Sequence, residues 1–511
     1  MLYRTLKWLT AFVLALPVLA FIWVTIFGWN WARAPLQRAV FEKTGRELVI
    51  GGNLGVVLSW PTPRVRAEAV TFANPPWAME KQMVAAESVE FTVDLYDLLR
   101  EHLVFPEVRL TRPIIFLEQT ADGRKTWLLD RQQADENTRI PIGRLTLDDG
   151  LLGYDDAKQN TRIRADISTQ DTAAGGVAFS AKGLYKGLVV AAHGSGGSVL
   201  ALDDESAPFP LIVEATIGHT GIKGDGTVTS LFKLSALDMR LALRGDSLAQ
   251  LFPLFGLALP ETHPYAVAGR ILHNGQIGQH GQRGQMWRYE KFSGHTGKSD
   301  IAGSLQVDIG GARPFMHGEL VSQFLDIDDL GPLIGTKAQM PAPAVRKVAR
   351  APKPVASETK KVVVADPVAL AGPHMLPDIP FKTDRWNSVD ADVTLRARKI
   401  LHAKDLPLDN LVAHLKMQNS LLTLDPLDFG IADGHLKAVI SLDGRQNPIQ
   451  AHARIGARKI RLAKLFPTVD LTKSSIGQIN GEFDLAGTGN SVGRMLATAN
   501  GRVGLIIAMY G

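Results

Sequence analysis

Residues Ala86–Leu129, AESVEFTVDLYDLLREHLVFPEVRLTRPIIFLEQTADGRKTWLL, decide the fold. Val89, Phe91 and Val93 recur at every second position, the period of a strand with one greasy and one wet face. Asp94–Arg100 then reads as one or two helical turns. Val108-Arg109-Leu110-Thr111-Arg112 and Ile114-Ile115-Phe116-Leu117-Glu118 return to strand composition, and Asp122-Gly123 is a hairpin-type turn signal. Short strands joined by tight turns, with a helical turn between them, predict a mainly β body.

The same texture extends in both directions. Upstream, Leu48, Ile50, Val65, Val70 and Phe72 sit in short segments split by Gly, Pro and Asn. Downstream, strands are expected at 162–168, 177–182, 211–217, 239–243, 301–309, 318–321, 389–397, 411–417, 435–442, 450–455 and 481–485. The 48 glycines suit many turns better than long helices. A loose repeat of strand, Leu-rich helical turn and Pro or Gly recurs at SLAQLFPLFG, LDIDDLGPLIG and IRLAKLFPTVD, a pattern of bodies that grow in one dimension. Residues 336–380, rich in Pro, Ala, Val and Lys, interrupt it and read as a disordered insertion, a solvated linker or a contact for an anionic membrane or wall polymer. They divide the body into 33–335 and 381–511.

At the other extreme of the chain, Trp8–Ala32 carries no charge. It is long enough to span a bilayer as one helix, which takes about 20 apolar residues, and Trp8, Trp29 and Trp31 lie near its ends, where indoles prefer the headgroup zone. Its length and the poor cleavage site at Gly28-Trp29-Asn30-Trp31 favour an uncleaved transmembrane signal-anchor, residues 8–32, behind a short cytoplasmic segment 1–7, over a signal peptide. Arg4 and Lys7 before it and Arg33, Arg38, Lys43 and Arg46 after it leave the orientation undecided. An amphipathic helix, Pro35–Lys43, is expected next, ended by Gly45, with Leu36–Phe41 placed to plug or cap the apolar trough of the body near the membrane.

Composition excludes several functions. With no cysteine among 511 residues, disulfides and thiolate metal sites are impossible. A net charge of +5 spread singly, with 7% aromatic residues, gives neither an arginine-rich arm nor a base-stacking platform, so nucleic acid is not an expected partner. None of the 13 histidines has metal-ligand spacing with an acidic partner. The pairs Asp148-Asp149, Asp155-Asp156, Asp203-Asp204 and Asp328-Asp329 flank turns, and neighbours on a strand face opposite ways. His193-Gly194-Ser195-Gly196-Gly197-Ser198 lacks the Lys of a phosphate loop and the order of a nucleophile elbow, and reads as a flexible connection. No catalytic residue, cofactor or metal is expected; the chain does not read as an enzyme.

Thr44–Trp77, TGRELVIGGNLGVVLSWPTPRVRAEAVTFANPPW, followed by Ala86–Leu129 with its Asp-Gly-x-x-x-Trp segment Asp122–Trp127, resembles the start of the AsmA family. The likeness continues in LALRGDSLAQLFPLFGLALPETHPYAVAGR, LDIDDLGPLIG, LDPLDFGIADGHLKAVISLDGR and FDLAGTGNSVGRMLATANGRVGL, and spares only the insertion. The resemblance implies a single-pass bacterial inner-membrane protein with its bulk in the periplasm, which settles the orientation. It also implies an elongated, curved antiparallel sheet with an apolar trough, as in chorein-type bridge proteins, and a role in outer-membrane biogenesis and phospholipid passage. Members usually continue through more of the repeat body, so a fragment is one expectation for this chain.

An open sheet offers acyl chains an apolar path with no need of a cofactor or nucleotide. Val89, Phe91, Val93, Leu110 and Phe116 are the candidate floor of that trough. The competing expectation is a scaffold acting on outer-membrane protein assembly through contacts with other envelope proteins, with the apolar faces buried in closed sandwiches and free edge strands taking up partners.

Overall fold

The structure, a computed structural model, describes residues 28–100, 104–129, 142–170, 176–197, 200–201, 208–229, 235–255, 259–274, 285–330, 380–381, 383–401, 408–461, 464 and 476–510. The expected anchor up to residue 27 and nearly all of the 336–380 insertion lie outside them. Among the described residues, no helix is long and apolar enough to cross a membrane. The chain divides into two units, 1–244 with 268–290, and 245–267 with 291–511.

The mainly β expectation holds. The first unit contains β1 Leu48–Ile50, β2 Leu54–Val57, β3 Arg64–Ala73, β4 Gln82–Thr92, β5 Phe105–Thr111, β6 Ile114–Gln119, β7 Ile142–Asp148, β8 Gly150–Asp156, β9 Thr161–Gln170, β10 Gly176–Tyr185, β11 Leu188–Gly196, β12 Leu200–Ala201, β13 Phe209–Ile217, β14 Thr220–Thr229 and most of β15 Ala236–Gly245. β16 Tyr265–Asn274 and β17 Gln285–Thr296 contribute residues to both units. The second unit continues with β18 Ser299–Ile309, β19 Phe315–Asp326, β20 Asp390–Leu401, β21 Leu408–Gln418, β22 Leu421–Ile431, β23 Gly434–Asp443, β24 Gln450–Arg461, β25 Ile476–Thr488 and β26 Asn500–Tyr510.

The ladders are mixed, which corrects the antiparallel expectation. β5 runs parallel to β7, β6 to β8 and β19 to β20. Parallel neighbours need a long crossover, and each pair has one: the segment from Thr120 to Pro141, and the segment that holds the insertion. The Asp122-Gly123 turn is present but joins no two strands. Gly123 N donates to Thr120 O at 2.9 Å, and the returning arm makes a single bridge, Gln119 with Lys125. Thr126 then drops into a fully buried position, its Oγ1 accepting from Glu118 N at 2.9 Å, and ends the pairing.

A crease crosses the first unit. Ala69, Arg112 and Asp149 all have positive φ, between 44° and 51°. The registers Glu68 with Ser88, Ser88 with Thr111, and Thr111 with Asp148 set these kinks side by side across β3 to β8. At the sheet margin Gly51-Gly52-Asn53 forms the same break, with Gly51 N donating to Ala69 O and Gly52 N to Glu68 O, both at 2.9 Å. Ala67 and Val70, three residues apart, pack into one cluster with Ile50 and Leu54. Side-chain alternation therefore shifts by one at the crease.

A helix, α1 Arg33–Thr44, is led in by a 3₁₀ turn at Asn30–Ala32 and closed, as expected, by Gly45 at φ 70°. The amphipathic expectation fails: no residue of α1 is fully buried, and Leu36 and Phe41 are exposed. The half-buried positions are Arg33, Gln37, Val40 and Thr44, a mostly polar helical face. Trp29 and Ala32, not Leu36–Phe41, pack on the apolar cluster of β1–β3.

The glycine run at 193–196 also departs from expectation, because it belongs to β11 rather than to a connection. A Cβ on Gly194 would meet the Phe179 ring, and one on Gly196 the Phe209 ring, at 2.6 Å or less. The missing side chains make room for two aromatic rings within a regular ladder.

Candidate functional site

Cross-strand partners in a ladder share a face, so the registers alone define what each unit presents. In the first unit one row runs Leu48, Phe72, Val84, Ile115, Leu152, Ala165, Ala181, Ala192, Ala215, Ile222, Leu243. Every member is apolar. The neighbouring row on the opposite face reads Asp166, Ser180, His193, Glu214, Lys223. There Lys223 Nζ sits 2.9 Å from Glu214 Oε1 and, by that hydrogen bond, holds its carboxyl below the ordinary range.

The second unit repeats the division. Leu320, Leu395, Ala413, Leu427, Ala438, Ile455, Phe483 and Val503 form one unbroken apolar row across β19–β26. A parallel row reads Leu305, Gly318, Val393, Leu415, Leu424, Ile440, Ala453, Leu485. The other face carries Asp392, Lys416, Thr423, Ser441 and His452 in register, with His414 Nε2 2.7 Å from Asp392 and His452 Nε2 2.6 Å from Asp484.

These apolar rows are not filled cores. Among the described residues of each unit, the main close contacts between strands fall between ladder neighbours. Most row members are only half-buried, and Val503 is 61% exposed. Adjacent strands cover their flanks and leave their tips bare.

Of the five candidate floor residues, the registers bring three together. Val89 stands opposite Ala67 and Leu110, and Phe91 opposite Val65 and Val108, all on the apolar face. Phe91 also meets Phe105 edge to face at 5.2 Å. Val93 lies one residue beyond β4, half-buried, its N donating to Pro63 O at 3.1 Å. Phe116 stands apart. It pairs with Gly153, which pairs with Arg164, on the charged face, while its neighbours Ile115 and Leu117 face the apolar side. The alternation shift at Arg112 causes the reversal. Ile115, Leu152, Leu395 and Leu427 are further members of the apolar rows that strand-by-strand reading missed; the signal was pairing across strands, which a single sequence does not display.

The signature segments prove to be fasteners. Thr44 Oγ1 donates to Val40 O at 2.7 Å and accepts from Arg46 N, closing α1. Buried Arg46, its pKa lowered by that burial, donates to the carbonyls of Thr126 at 2.5 Å and Leu128 at 2.7 Å, and its guanidinium lies 5.9 Å from the Phe72 ring centroid. Asn74 Nδ2 donates to Glu80 O at 3.0 Å across the Asn-Pro turn. Arg124 lies over Trp77, and Trp127 packs near Tyr154. Among the described residues no three His, Asp or Glu side chains are grouped to hold a metal ion.

The sequence profile of the AsmA family matches residues 3–184 and 177–508. The chain is 32% identical over 532 aligned residues to a protein of Escherichia coli K12 named AsmA family protein YhjG, covering 97% of this chain and 75% of that one. No solved structure matches it. A profile that spans nearly the whole length and a relative 32% identical over 97% of the chain lead to one assignment: the chain belongs to the AsmA family.

Proposed function

We propose that this chain is a non-enzymatic protein of envelope biogenesis, tethered to the bacterial inner membrane by the uncharged stretch that starts at Trp8 and ends before Trp29, which packs on the body, with its bulk in the periplasm, and that it binds or conducts phospholipid along the apolar sheet faces. AsmA family membership supports a role in envelope biogenesis and lipid transport at the level of the family. The observation that carries the reading to phospholipid is the uninterrupted apolar row Leu320–Leu395–Ala413–Leu427–Ala438–Ile455–Phe483–Val503, most of whose members are only half-buried.

Such a face left bare is costly, because each buried CH₂ of an acyl chain is worth about 0.8 kcal/mol. A chain laid across the half-covered rows recovers that energy without any specific polar contact. The opposite, charged face stays wet and keeps sheets from stacking. Movement along the face breaks and remakes equivalent contacts, so no energy barrier comparable to leaving a closed pocket is built in.

The test is mass spectrometry of lipids that remain with the full chain after detergent exchange and washing. Reproducible phospholipid in the native chain, lost in Val503→Asp and Leu427→Asp but kept in Lys437→Ser on the charged face, is the expected result. A well-folded native chain that carries no lipid overturns the reading and leaves the scaffold alternative, in which exposed edge strands take up partners.

A further inference from the structure

At one end of the first unit's strands lies a patch unlike the rest of its surface. The β2–β3 turn and the segment after β4 meet there: Leu95 N donates to Pro61 O and Val93 N to Pro63 O, both at 3.1 Å. Trp60 and Tyr96 cross edge to face at 5.4 Å. Around them Val57, Leu58, Trp60, Tyr96, Leu98 and Leu99 are exposed, Leu99 to 79% and Trp60 to 70%. Val57–Pro63, VLSWPTP, carries no charge.

The start of the described chain lies near the same strands. Asn30 Oδ1 accepts from Leu54 N at 2.9 Å, and Leu54 pairs with Ala67, three residues from the Arg64 end of β3. At the other end of α1, Glu47 O accepts from Ala73 N, at the far end of β3. The helix therefore runs along β3 from the level of Ala67 to its Ala73 end, so its N-terminus lies on the side of β3 towards the exposed patch. The sequence immediately before it is the uncharged stretch Trp8–Ala32.

We propose that this patch is a second membrane contact: Leu58, Trp60, Tyr96, Leu98 and Leu99 seat in the interface of the bilayer that holds the anchor. Apolar patches of this kind mark interaction sites rather than ordinary surface. Trp and Tyr are the residues whose amphipathic rings favour the headgroup level. Leu98 and Leu99 supply the acyl-contacting part, on a helical turn held by Asp94, which accepts from Tyr96 N at 2.8 Å and Asp97 N at 3.2 Å. The occupant is a lipid surface rather than a protein because the N-terminal chain outside the described residues ends at position 27, close to these strands, and holds the uncharged stretch proposed to span a bilayer. Two contacts instead of one hold the margin of the apolar face, where Phe91, Val65 and Val56 lie, against the membrane at a fixed angle.

The proposal rests on the reading of the stretch that starts at Trp8 as an anchor, and the test separates the two. The chain has no cysteine, so single substitutions accept one environment-sensitive fluorophore. Labelled full-length chains are reconstituted in vesicles of phosphatidylethanolamine and phosphatidylglycerol, with and without spin-labelled lipid as quencher. The variants are Leu99→Cys and Trp60→Cys at the patch, His193→Cys on the charged face as control, and Val13→Cys in the anchor. Blue-shifted emission at both patch positions, quenched several-fold more than at His193→Cys, is expected. Quenching at Val13→Cys with patch probes no different from the control overturns the second contact alone. Absence of quenching at Val13→Cys overturns the anchor, and this proposal with it.

Discussion

The guanidinium of Arg164 lies over the ring of Phe116, 5.4 Å from its centroid, while Asp155 grips the same guanidinium at 2.8 and 2.7 Å. That hydrogen-bonded pair raises the pKa of Arg164. Phe116 is thus a packing residue of the charged face. Truncation by Phe116→Ala loses a cation–π contact worth about 0.5–1 kcal/mol and part of a half-buried ring, about 1–2 kcal/mol altogether. Thermal unfolding followed by circular dichroism should show a lower midpoint, with phospholipid retention unchanged. Loss of lipid at unchanged stability would return Phe116 to the trough.

The error over Phe116 shows where sequence stops being enough. Strand composition, the Asp94 helical turn and the stop at Gly45 were all legible, because each rests on local chemistry. Counting by twos from Leu110 puts Phe116 on the same face. The count fails because Arg112 takes a left-handed conformation, and only the Pro at position 113, within a strand run, hinted at a break. The parallel pairs were illegible for another reason: the segments that create them carry no strand pattern of their own. The amphipathic expectation for α1 misjudged which side is covered: the half-buried face carries Arg33, Gln37 and Thr44 beside Val40, and Thr44 Oγ1 bonds Val40 O and Arg46 N, contacts that hydrophobicity does not report.

The crease gives a substitution whose sign is opposite to the usual one. Ala69 is exposed within β3, and its φ is 51°. At an ordinary exposed strand position Val is favoured over Ala, on a scale of about 1 kcal/mol. In the left-handed region a β-branched side chain clashes with its own backbone. Ala69→Val is therefore expected to destabilise by about 1–2 kcal/mol, read as a lower denaturation midpoint. Ala69→Gly should be neutral within about 0.5 kcal/mol, since relief of strain offsets the added freedom of the unfolded chain. A stabilising Val would mean that β3 runs straight through position 69.

Asp443 supplies a pH marker for the β23–β24 turn. The Arg445 side chain, then the Arg445 backbone N–H, hydrogen-bonds its carboxylate and lowers its pKa to about 2. A carboxyl whose folded pKa is depressed contributes stability above its unfolded value of about 3.9, and the contribution is lost as pH falls through about 2. The pair lies in a surface turn, with the Arg445 side chain 57% exposed, so the effect is local rather than a determinant of global stability. Titration of the Asp443 carboxyl carbon by NMR should give a midpoint near 2 in the native chain, moved back towards the ordinary aspartate range in Arg445→Ala. An ordinary midpoint in the native chain would show that the Arg445 contact does not persist in solution.

The turn between β17 and β18 depends on a single carboxylate. Asp329 Oδ2 accepts from Lys298 N at 2.8 Å, Ser299 N at 2.8 Å and Ser299 Oγ at 2.6 Å. Its Oδ1 lies 3.2 Å from His263 Nδ1, and the Asp329 side chain is 6% exposed. Ser299 Oγ in turn accepts from Asp326 N at 2.9 Å. One side chain from the 3₁₀ turn Ile327–Leu330 thereby ties together the β17–β18 turn, the end of β19 and the segment before β16. Asp329→Ala strands three donors in a buried place, each worth about 1–3 kcal/mol when unsatisfied. The net loss should be about 3 kcal/mol after partial relaxation. Asp329→Asn keeps one acceptor oxygen and should lose less. Hydrogen exchange locates the effect: the amides of Lys298 and Ser299 should lose protection in Asp329→Ala well before those of β22 and β23. Equal loss everywhere would mean that the carboxylate supports the whole second unit, and no loss at these two amides would mean that it does not close the turn at all.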